Sequence, residues 1–356
     1  MDEIQQKLNA MAPLLLPWYD TNRRELPWRE TRDPYAIWVS EIMLQQTRVA
    51  AVLPYYARWM ERLPDAAALA AVDEEELMKL WQGLGYYSRA RNLQKAAQVI
   101  VAEYGGRLPN TYETLKKLPG VGDYTAGAVA SIAFGQAVSA VDGNVLRVAA
   151  RVANIRENML DEKVKKTMRV RMDDAVSKER PGEFNQALMD LGATVCLPNG
   201  KPLCENCPLA EICEAKRLGI TQELPVRTKK APRRIEEMTV YLLLRGEKVA
   251  VRKRADEGLL AGLWEFPHVT GRLDEQDAAR VLADWNLMPR DWKKTIAARH
   301  IFTHLEWHMT GYLLAVDGEG ADDFIWVNRE QLGALAVPGA FKKYLAESME
   351  VLEAEK

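Results

Sequence analysis

The apolar periodicity of the chain changes once, and that change limits the folds open to it. From Asp2 to about Lys216, apolar residues recur at three- and four-residue spacing, and Pro and Gly mark the breaks. This pattern predicts helices over Ala36–Ala57, Asp73–Leu84, Ser88–Tyr104, Tyr112–Lys117, Tyr124–Phe134 and Val145–Val152. Asp33 and Pro34 supply a cap and a first-turn proline for the first of these. After Leu218 the texture alters. The stretch MTVYLLLRGEKVAVRKR reads as two strands joined at Arg245–Lys248, and His300–Val316 and Phe324–Val327 are also strand-like. Gln276–Trp285 and Gly339–Ala354 read as helices. Between the two textures lies LPVRTKKAPRR (Leu224–Arg234), whose two prolines and five basic residues suit an extended linker. The expectation is a multidomain chain: an all-α domain over residues 1–220, a basic linker over 221–235 and an α+β domain over 236–356. A length of 356 residues accommodates both domains.

Hydrophobic residues at 48% supply enough core for both, which excludes intrinsic disorder over most of the chain. The longest apolar runs, Ala66–Val72 and Val240–Leu244, are far too short to span a bilayer. The amino terminus MDEIQQKLNAM has no apolar segment of a secretory signal. A soluble cytoplasmic protein with no membrane partner is expected. The net charge of −2 does not decide for or against nucleic acid, because a local basic face survives such an average.

All four cysteines, Cys196, Cys204, Cys207 and Cys213, fall within eighteen residues, spaced C-x7-C-x2-C-x5-C. Scattered pairs would suggest disulfides, whereas one cluster suggests a metal or iron–sulfur site. Zinc sites commonly use two C-x2-C knuckles; here a single knuckle sits between two flanking cysteines, which favours one cubane cluster over zinc.

Leu118-Pro119-Gly120-Val121-Gly122 lies between two helical segments. Gly120 and Gly122 permit a tight reversal with outward backbone N–H groups, suited to a phosphate, although a plain helix–helix turn fits as well. Asp142 lies twenty residues beyond Gly122, just before a helix, where it could simply be a cap. Glu41 sits in WVSEIMLQQT, flanked by apolar residues on a predicted helix. A core-facing carboxyl there has a raised pKa and can donate a proton near neutral pH. Taken singly, either acid fits a structural role better than a catalytic one.

Together these residues carry a resemblance. LPGVG with the distant aspartate and the four-cysteine loop resembles the helix-hairpin-helix DNA glycosylase superfamily. The segments WVSEIMLQQTRVAAVLPYYARWM, LWQGLGYYSRARNL and LPGVGDYTAGAVASIAFG resemble its MutY adenine glycosylases, and the likeness resumes at GLLAGLWEFP and RHIFTHLEW. Endonuclease III-like members place a nucleophilic lysine after the hairpin glycine. This chain has Gly122-Asp123-Tyr124-Thr125 there, and a phenol cannot form a Schiff base, so a bifunctional glycosylase/lyase is the disfavoured alternative.

The resemblance implies a monomeric enzyme of base excision repair whose partner is duplex DNA with adenine opposite 8-oxoguanine or guanine, associated with the nucleoid through that DNA. The adenine is flipped out of the stack. Glu41 is implied to protonate its five-membered ring and Asp142 to stabilise or capture the sugar cation, the two-carboxylate division of glycosidases. Tyr124 and Asn144 are implied to position Asp142 and the sugar, and Arg24, Leu26, Trp28 and Arg29 to line the adenine pocket. Gln46, Thr47 and Tyr86 are implied to contact the duplex, Gln46 and Tyr86 by entering it beside the flipped base or the 8-oxoguanine. The cysteines are implied to hold a [4Fe–4S] cluster. Seven residues separate Cys196 from Cys204 where relatives usually have six; a bulge near Asn199-Gly200 can absorb the extra one.

The second domain is similar to Nudix folds at GLWEFP, but DEQDAARVLADWNL lacks the glutamate-rich helix a pyrophosphohydrolase uses to hold Mg²⁺, so hydrolase activity is rejected. All four histidines, His268, His300, His304 and His308, lie in this domain, and its β-rich pattern argues against a metal site among them. The resemblance assigns the domain to 8-oxoguanine recognition through Phe302-Thr303-His304, where relatives have Phe-Ser-His.

Overall fold

The computed structural model describes residues 1–228 and 232–354, so Lys229, Lys230 and Ala231 of the expected linker lie outside the described residues. The chain forms two compact units. One comprises Met1–Ala71 and Arg91–Lys229; the other comprises Val72–Ala90 and Lys230–Lys356. The segment around the helix Glu74–Trp81, which reads from sequence as part of the helical domain, therefore belongs with the later residues. Its Lys79 Nζ donates to the carbonyls of Gly333 (2.6 Å) and Leu335 (3.1 Å), and Gln82 Nε2 donates to the Val337 carbonyl (2.6 Å).

The first unit is helical. Its centre is the helix Asp123–Phe134, buried from Thr125 to Ser131, against which Pro34–Leu44 and Pro181–Thr194 pack. Small side chains (Ala126, Gly127, Ala128, Ala130) let those neighbours approach closely. A second core joins Leu8, Met11 and Leu15 to Val148, Phe184, Leu188, Leu191 and Leu209, and Cys196 and Cys207 pack on it.

The predicted helix Ala36–Ala57 is two helices, Pro34–Leu44 and Val49–Arg62. The break is at Gln46, whose φ of 58° is left-handed. No glycine marks this break, and a glutamine held in that conformation is strained by about 1–3 kcal/mol, as at binding and catalytic sites.

The second unit is built on a sheet of order β3-β2-β1-β6-β5, from β1 (Arg234–Arg245), β2 (Lys248–Lys253), β3 (Trp264–Glu265), β5 (Leu287–Ile301) and β6 (Leu305–Gly318). β4 (His268–Thr270) pairs with β1, and β7 (Ile325–Val327) with β2. Only β1 and β6 run parallel among the described pairs. β1 is buried on both faces. Met238, Val240, Leu242 and Leu244 meet Phe341, Tyr344 and Leu352 near and along the carboxy-terminal helix, while Tyr241 and Leu243 face Ala278 and Leu282 of the helix Glu275–Asp284. The expected single strand His300–Val316 is instead a hairpin of β5 and β6 that turns at Phe302–His304. The start of β5 was missed because Pro289, Arg290, Asp291 and Lys293–Lys294 hide the alternation; β5 is an edge strand, where such residues are tolerated.

Candidate active site and cysteine loop

A cavity of ≈ 470 Å³ opens in the helical unit. Glu41, Asp142, Tyr124 and Asn144 line it, with Arg24, Leu26, Trp28, Arg29 and Thr47. Residues separated by more than a hundred positions are thus brought round one hollow of a size that admits a purine.

Glu41 lies on a helix buried from Tyr35 to Met43, and is itself only 4% exposed. Its Oε2 accepts the Tyr124 hydroxyl at 2.6 Å. Burial pushes the Glu41 carboxyl up from its ordinary value; the Tyr124 hydrogen bond and the Arg29 charge oppose that, and the nearby Asp142 reinforces it. The Tyr124 phenol is driven well above its usual value by the same burial. It remains a hydrogen-bond donor, and it serves Glu41 rather than Asp142, the partner expected from the resemblance.

Asp142 caps the helix Gly143–Val152. It accepts from the backbone N–H groups of Asn144 and Val145, both at 2.8 Å, and from Asn144 Nδ2 at 2.7 Å. Burial raises it too, but three donors at a helix N-terminus favour its ionised form, whereas one donor serves Glu41. The two carboxyls of one cavity thus differ in their hydrogen-bond donors, three on Asp142 and one on Glu41. Asn144 is itself held, because its Oδ1 accepts from Arg147 Nη2 at 2.9 Å. Arg147 is 3% exposed and also donates to the carbonyls of Gly192 (2.7 Å) and Cys196 (2.8 Å).

The arginines are anchored as well. Arg24 Nε donates to Asp190 Oδ1 at 2.6 Å, and the Arg29 guanidinium clasps both oxygens of the same carboxylate. Trp28 is buried and meets the Tyr56 ring edge-on at 5.1 Å. It therefore combines core packing with a face on the cavity.

Gln186, Met189 and Asp190 escaped the sequence reading. Gln186 and Met189 line the cavity from the helix Pro181–Thr194. Gln186 accepts the Tyr19 hydroxyl at 2.5 Å. The available signal was a glutamine and an aspartate at four-residue spacing within a segment of apolar and small residues, FNQALMDLGAT.

Other predicted residues stand elsewhere. Gln46 is exposed on the loop between its two helices. Gly120 adopts φ 74°, and a Cβ there would meet Asn92 Cβ at 2.6 Å, so this turn requires glycine. Gly122 begins the helix Asp123–Phe134. Phe302, Thr303 and His304 form the β5–β6 turn in the second unit, with Phe302 wedged edge-on between His300 (4.6 Å) and Trp307 (4.8 Å). Thr303 and His304 are exposed. Tyr86, also of the second unit, has φ 49° and shares a 2.6 Å hydrogen bond with the Thr303 hydroxyl.

Cys196, Cys204, Cys207 and Cys213 line one small hollow with Val148, Leu191, Val195 and Leu209. Arg151, 3% exposed, places Nη1 3.2 Å from Cys196 Sγ and donates to the carbonyls of Leu197 and Leu224. Asn199 and Gly200, at the extra residue, are exposed, with Gly200 at φ 75° and open space beside it. His308 and Arg299 both pair with Glu306, at 2.6 Å each.

The HhH-GPD superfamily of base excision DNA repair proteins matches residues 39–173, and the NUDIX domain family matches 239–347. The human adenine DNA glycosylase is 37% identical over 95% of this chain and 73% of its own length. Among solved structures, a thermostable thymine-DNA glycosylase superposes with TM-score 0.55 at 31% identity, over 61% of this chain and all of its own. A non-covalent endonuclease III–DNA complex superposes with TM-score 0.52 at 27% identity, over 61% of this chain and 98% of its own. With that identity sustained through both domains, the chain belongs to the adenine DNA glycosylase family, enzymes of base excision repair.

Proposed function

We propose that this glycosylase is monofunctional and acts, as a monomer, on adenine opposite 8-oxoguanine or guanine in duplex DNA. The observation that carries the reading is the pairing in one cavity of a buried Glu41 with a single donor and an Asp142 with three. The flipped adenine enters between Arg24, Leu26, Trp28 and Arg29. Glu41 donates its proton to the imidazole ring of the base as the C1′–N9 bond breaks and its electron pair leaves with the adenine. Asp142 faces the positive charge that develops at C1′, its anion favoured by the donors of the helix N-terminus and by that charge, and kept in orientation by Asn144. Water then adds to C1′ and gives up a proton. Tyr124 holds Glu41 in place. The hairpin at Gly120 and Gly122 binds backbone phosphate; Gln46, Thr47 and Tyr86 engage the duplex; and Phe302, Thr303 and His304 read the 8-oxoguanine.

The four cysteines fit a [4Fe–4S] cluster. Burial first, and the three neighbouring cysteines after it, push the Cys207 thiol up to about 12, so four thiolates gathered here need compensating positive charge, and the buried Arg151 at Cys196 supplies part of it. Bound there, the cluster would tie the four thiolates of residues 196–213 into one loop. Among the described residues no three His, Cys, Asp or Glu side chains gather round a single-ion point. The preference for a cubane over one zinc rests on the order C-x7-C-x2-C-x5-C, with its single C-x2-C knuckle.

The alternative of an endonuclease III-like lyase needs an amine nucleophile. No lysine lines the cavity among the described residues, and the Tyr124 hydroxyl is engaged by Glu41. Among the described residues no helix is long and apolar enough to cross a membrane. The deciding assay measures adenine release from duplexes with adenine opposite 8-oxoguanine, guanine, thymine and cytosine. Equal release from all four would refute the mispair reading. A trapped covalent adduct on borohydride treatment would refute monofunctionality.

A further inference from the structure

We propose that Asp190 is a positioning residue of the adenine pocket, a buried carboxylate that fixes Arg24 and Arg29 and balances their charge beside Glu41. The proposal rests on the reading of Glu41 as the acid. Asp190 is 0% exposed on the helix Pro181–Thr194. Its Oδ1 accepts from Arg24 Nε at 2.6 Å and Arg29 Nη2 at 2.8 Å; its Oδ2 accepts from the Arg24 backbone N–H at 3.1 Å and from Arg29 Nη1. Four donors saturate the carboxylate. In return it determines where both guanidinia stand and neutralises one of their two charges.

The balance matters because of what faces Glu41. Tyr124 approaches from the helix Asp123–Phe134, Arg29 from the turn Pro27–Arg29, and Asp142 from the head of Gly143–Val152. Arg24 and Arg48 line the same cavity. The Arg29 charge favours the ionised form of Glu41, and the Asp142 charge favours the protonated form. With Asp190 ionised, Arg24, Arg29 and Asp190 sum to one positive charge. Without that carboxylate they sum to two, and the Arg29 guanidinium loses the partner that fixes its position. The added positive charge favours the glutamate anion, which cannot protonate a base. Asp190 thus keeps the acid protonated while itself touching neither substrate nor Glu41.

The test is single-turnover adenine excision from a duplex with adenine opposite 8-oxoguanine, followed against pH for the full-length holoprotein. In the wild type the rate should fall on the alkaline side as Glu41 loses its proton. Asp190→Asn should move that midpoint down by about one pH unit, the order expected for one uncompensated charge at an effective dielectric near 20. Above both midpoints this is a loss of roughly tenfold, with far less lost on the acidic side. Arg24→Gln, which removes one positive charge and leaves the Arg29–Asp190 pair, should move the midpoint the other way by less, since Arg24 is partly solvated. It carries the test even if Asp190→Asn folds poorly. The double variant should return towards the wild-type midpoint. Equal losses at every pH for Asp190→Asn, or an Arg24→Gln midpoint shifted downward, would overturn the proposal and leave a structural role. Normal excision by Glu41→Gln would overturn the acid assignment, and the proposal with it.

Discussion

Gly192 is where the packing of the helical unit bears most directly on catalysis. A Cβ built on it would lie 2.6 Å from Asn144 Cβ, 3.2 Å from Asn144 Cγ and 3.3 Å from Arg147 Nη2. Ordinary contacts between such atoms begin near 3.5 Å, so Gly192→Ala demands about 1 Å of movement. The crowded atom is Asn144 Cβ, fixed to the backbone, so a rotamer change cannot relieve it. The head of the helix Gly143–Val152 must shift, and Asp142 moves with it because its oxygens are bonded to Asn144 and Val145. Overpacking of this kind destabilises by about 1–3 kcal/mol. For a unit of this size that lowers the melting temperature by roughly 3–10 °C. A displacement near 1 Å of a group acting on the sugar slows chemistry by up to about a hundredfold.

Single-turnover rates with enzyme in excess separate this loss from weaker DNA binding, and a thermal melt measures the packing cost. Gly192→Ala should lower the single-turnover rate by about tenfold to a hundredfold. A Gly192→Ala protein that melts normally and cuts within threefold of wild type would refute the reasoning.

Glu41→Gln should abolish excision yet keep mispair binding, because an amide keeps the shape but has no proton to give; excision near the wild-type rate would sink the assignment. The same substitution should stabilise the fold increasingly as pH rises. A carboxyl raised by burial contributes stability below its unfolded value, near 4.5, that is lost as pH climbs through the folded value, and glutamine has no such loss; a melting-temperature gap that does not widen between pH 5 and pH 8 would contradict this. The purified protein should be brown and carry about four irons per chain, and metal analysis giving one zinc and no iron would overturn the cluster reading. Cutting near Arg227 should leave adenine removal but shrink the preference for 8-oxoguanine over guanine by about tenfold to a hundredfold, the worth of a good base contact; an unchanged ratio of single-turnover rates would place recognition in the helical unit alone.

Contiguous motifs carried the family resemblance, and it was the resemblance that singled out residues whose local chemistry alone leaves a structural role open. Glu41, Asp142 and the four cysteines each lie in a short stretch whose local chemistry is unusual: an acid among apolar neighbours, a cap before a helix, thiols in one loop. The change from three- and four-residue to two-residue periodicity likewise announced a helical part followed by a sheet. Local conformation was less legible. The break at Gln46 puts a left-handed φ on a residue with no turn preference, so no local propensity records it. The start of β5 was hidden because an edge strand need not alternate.

What the sequence hides altogether is partnership over distance. Asp190 meets Arg24 and Arg29 across 166 and 161 positions, and Arg147 meets Cys196 across 49. Nothing near Asp190 in FNQALMDLGAT identifies its partners, and an arginine in GNVLRVAARV looks like an ordinary solvated face of a helix until it is found buried. In the proposed mechanism these are the residues that let one carboxyl act as the acid and the other as the anion. Asp190 keeps two guanidinia from acting on Glu41 together, and Arg147 fixes the amide that fixes Asp142. A motif supplies the reacting groups, but their protonation states are set by neighbours that only the fold assembles. A chain with the same Glu41, Tyr124 and Asp142 but an uncharged residue at position 190 should therefore match the motif and lose its excision rate first on the alkaline side.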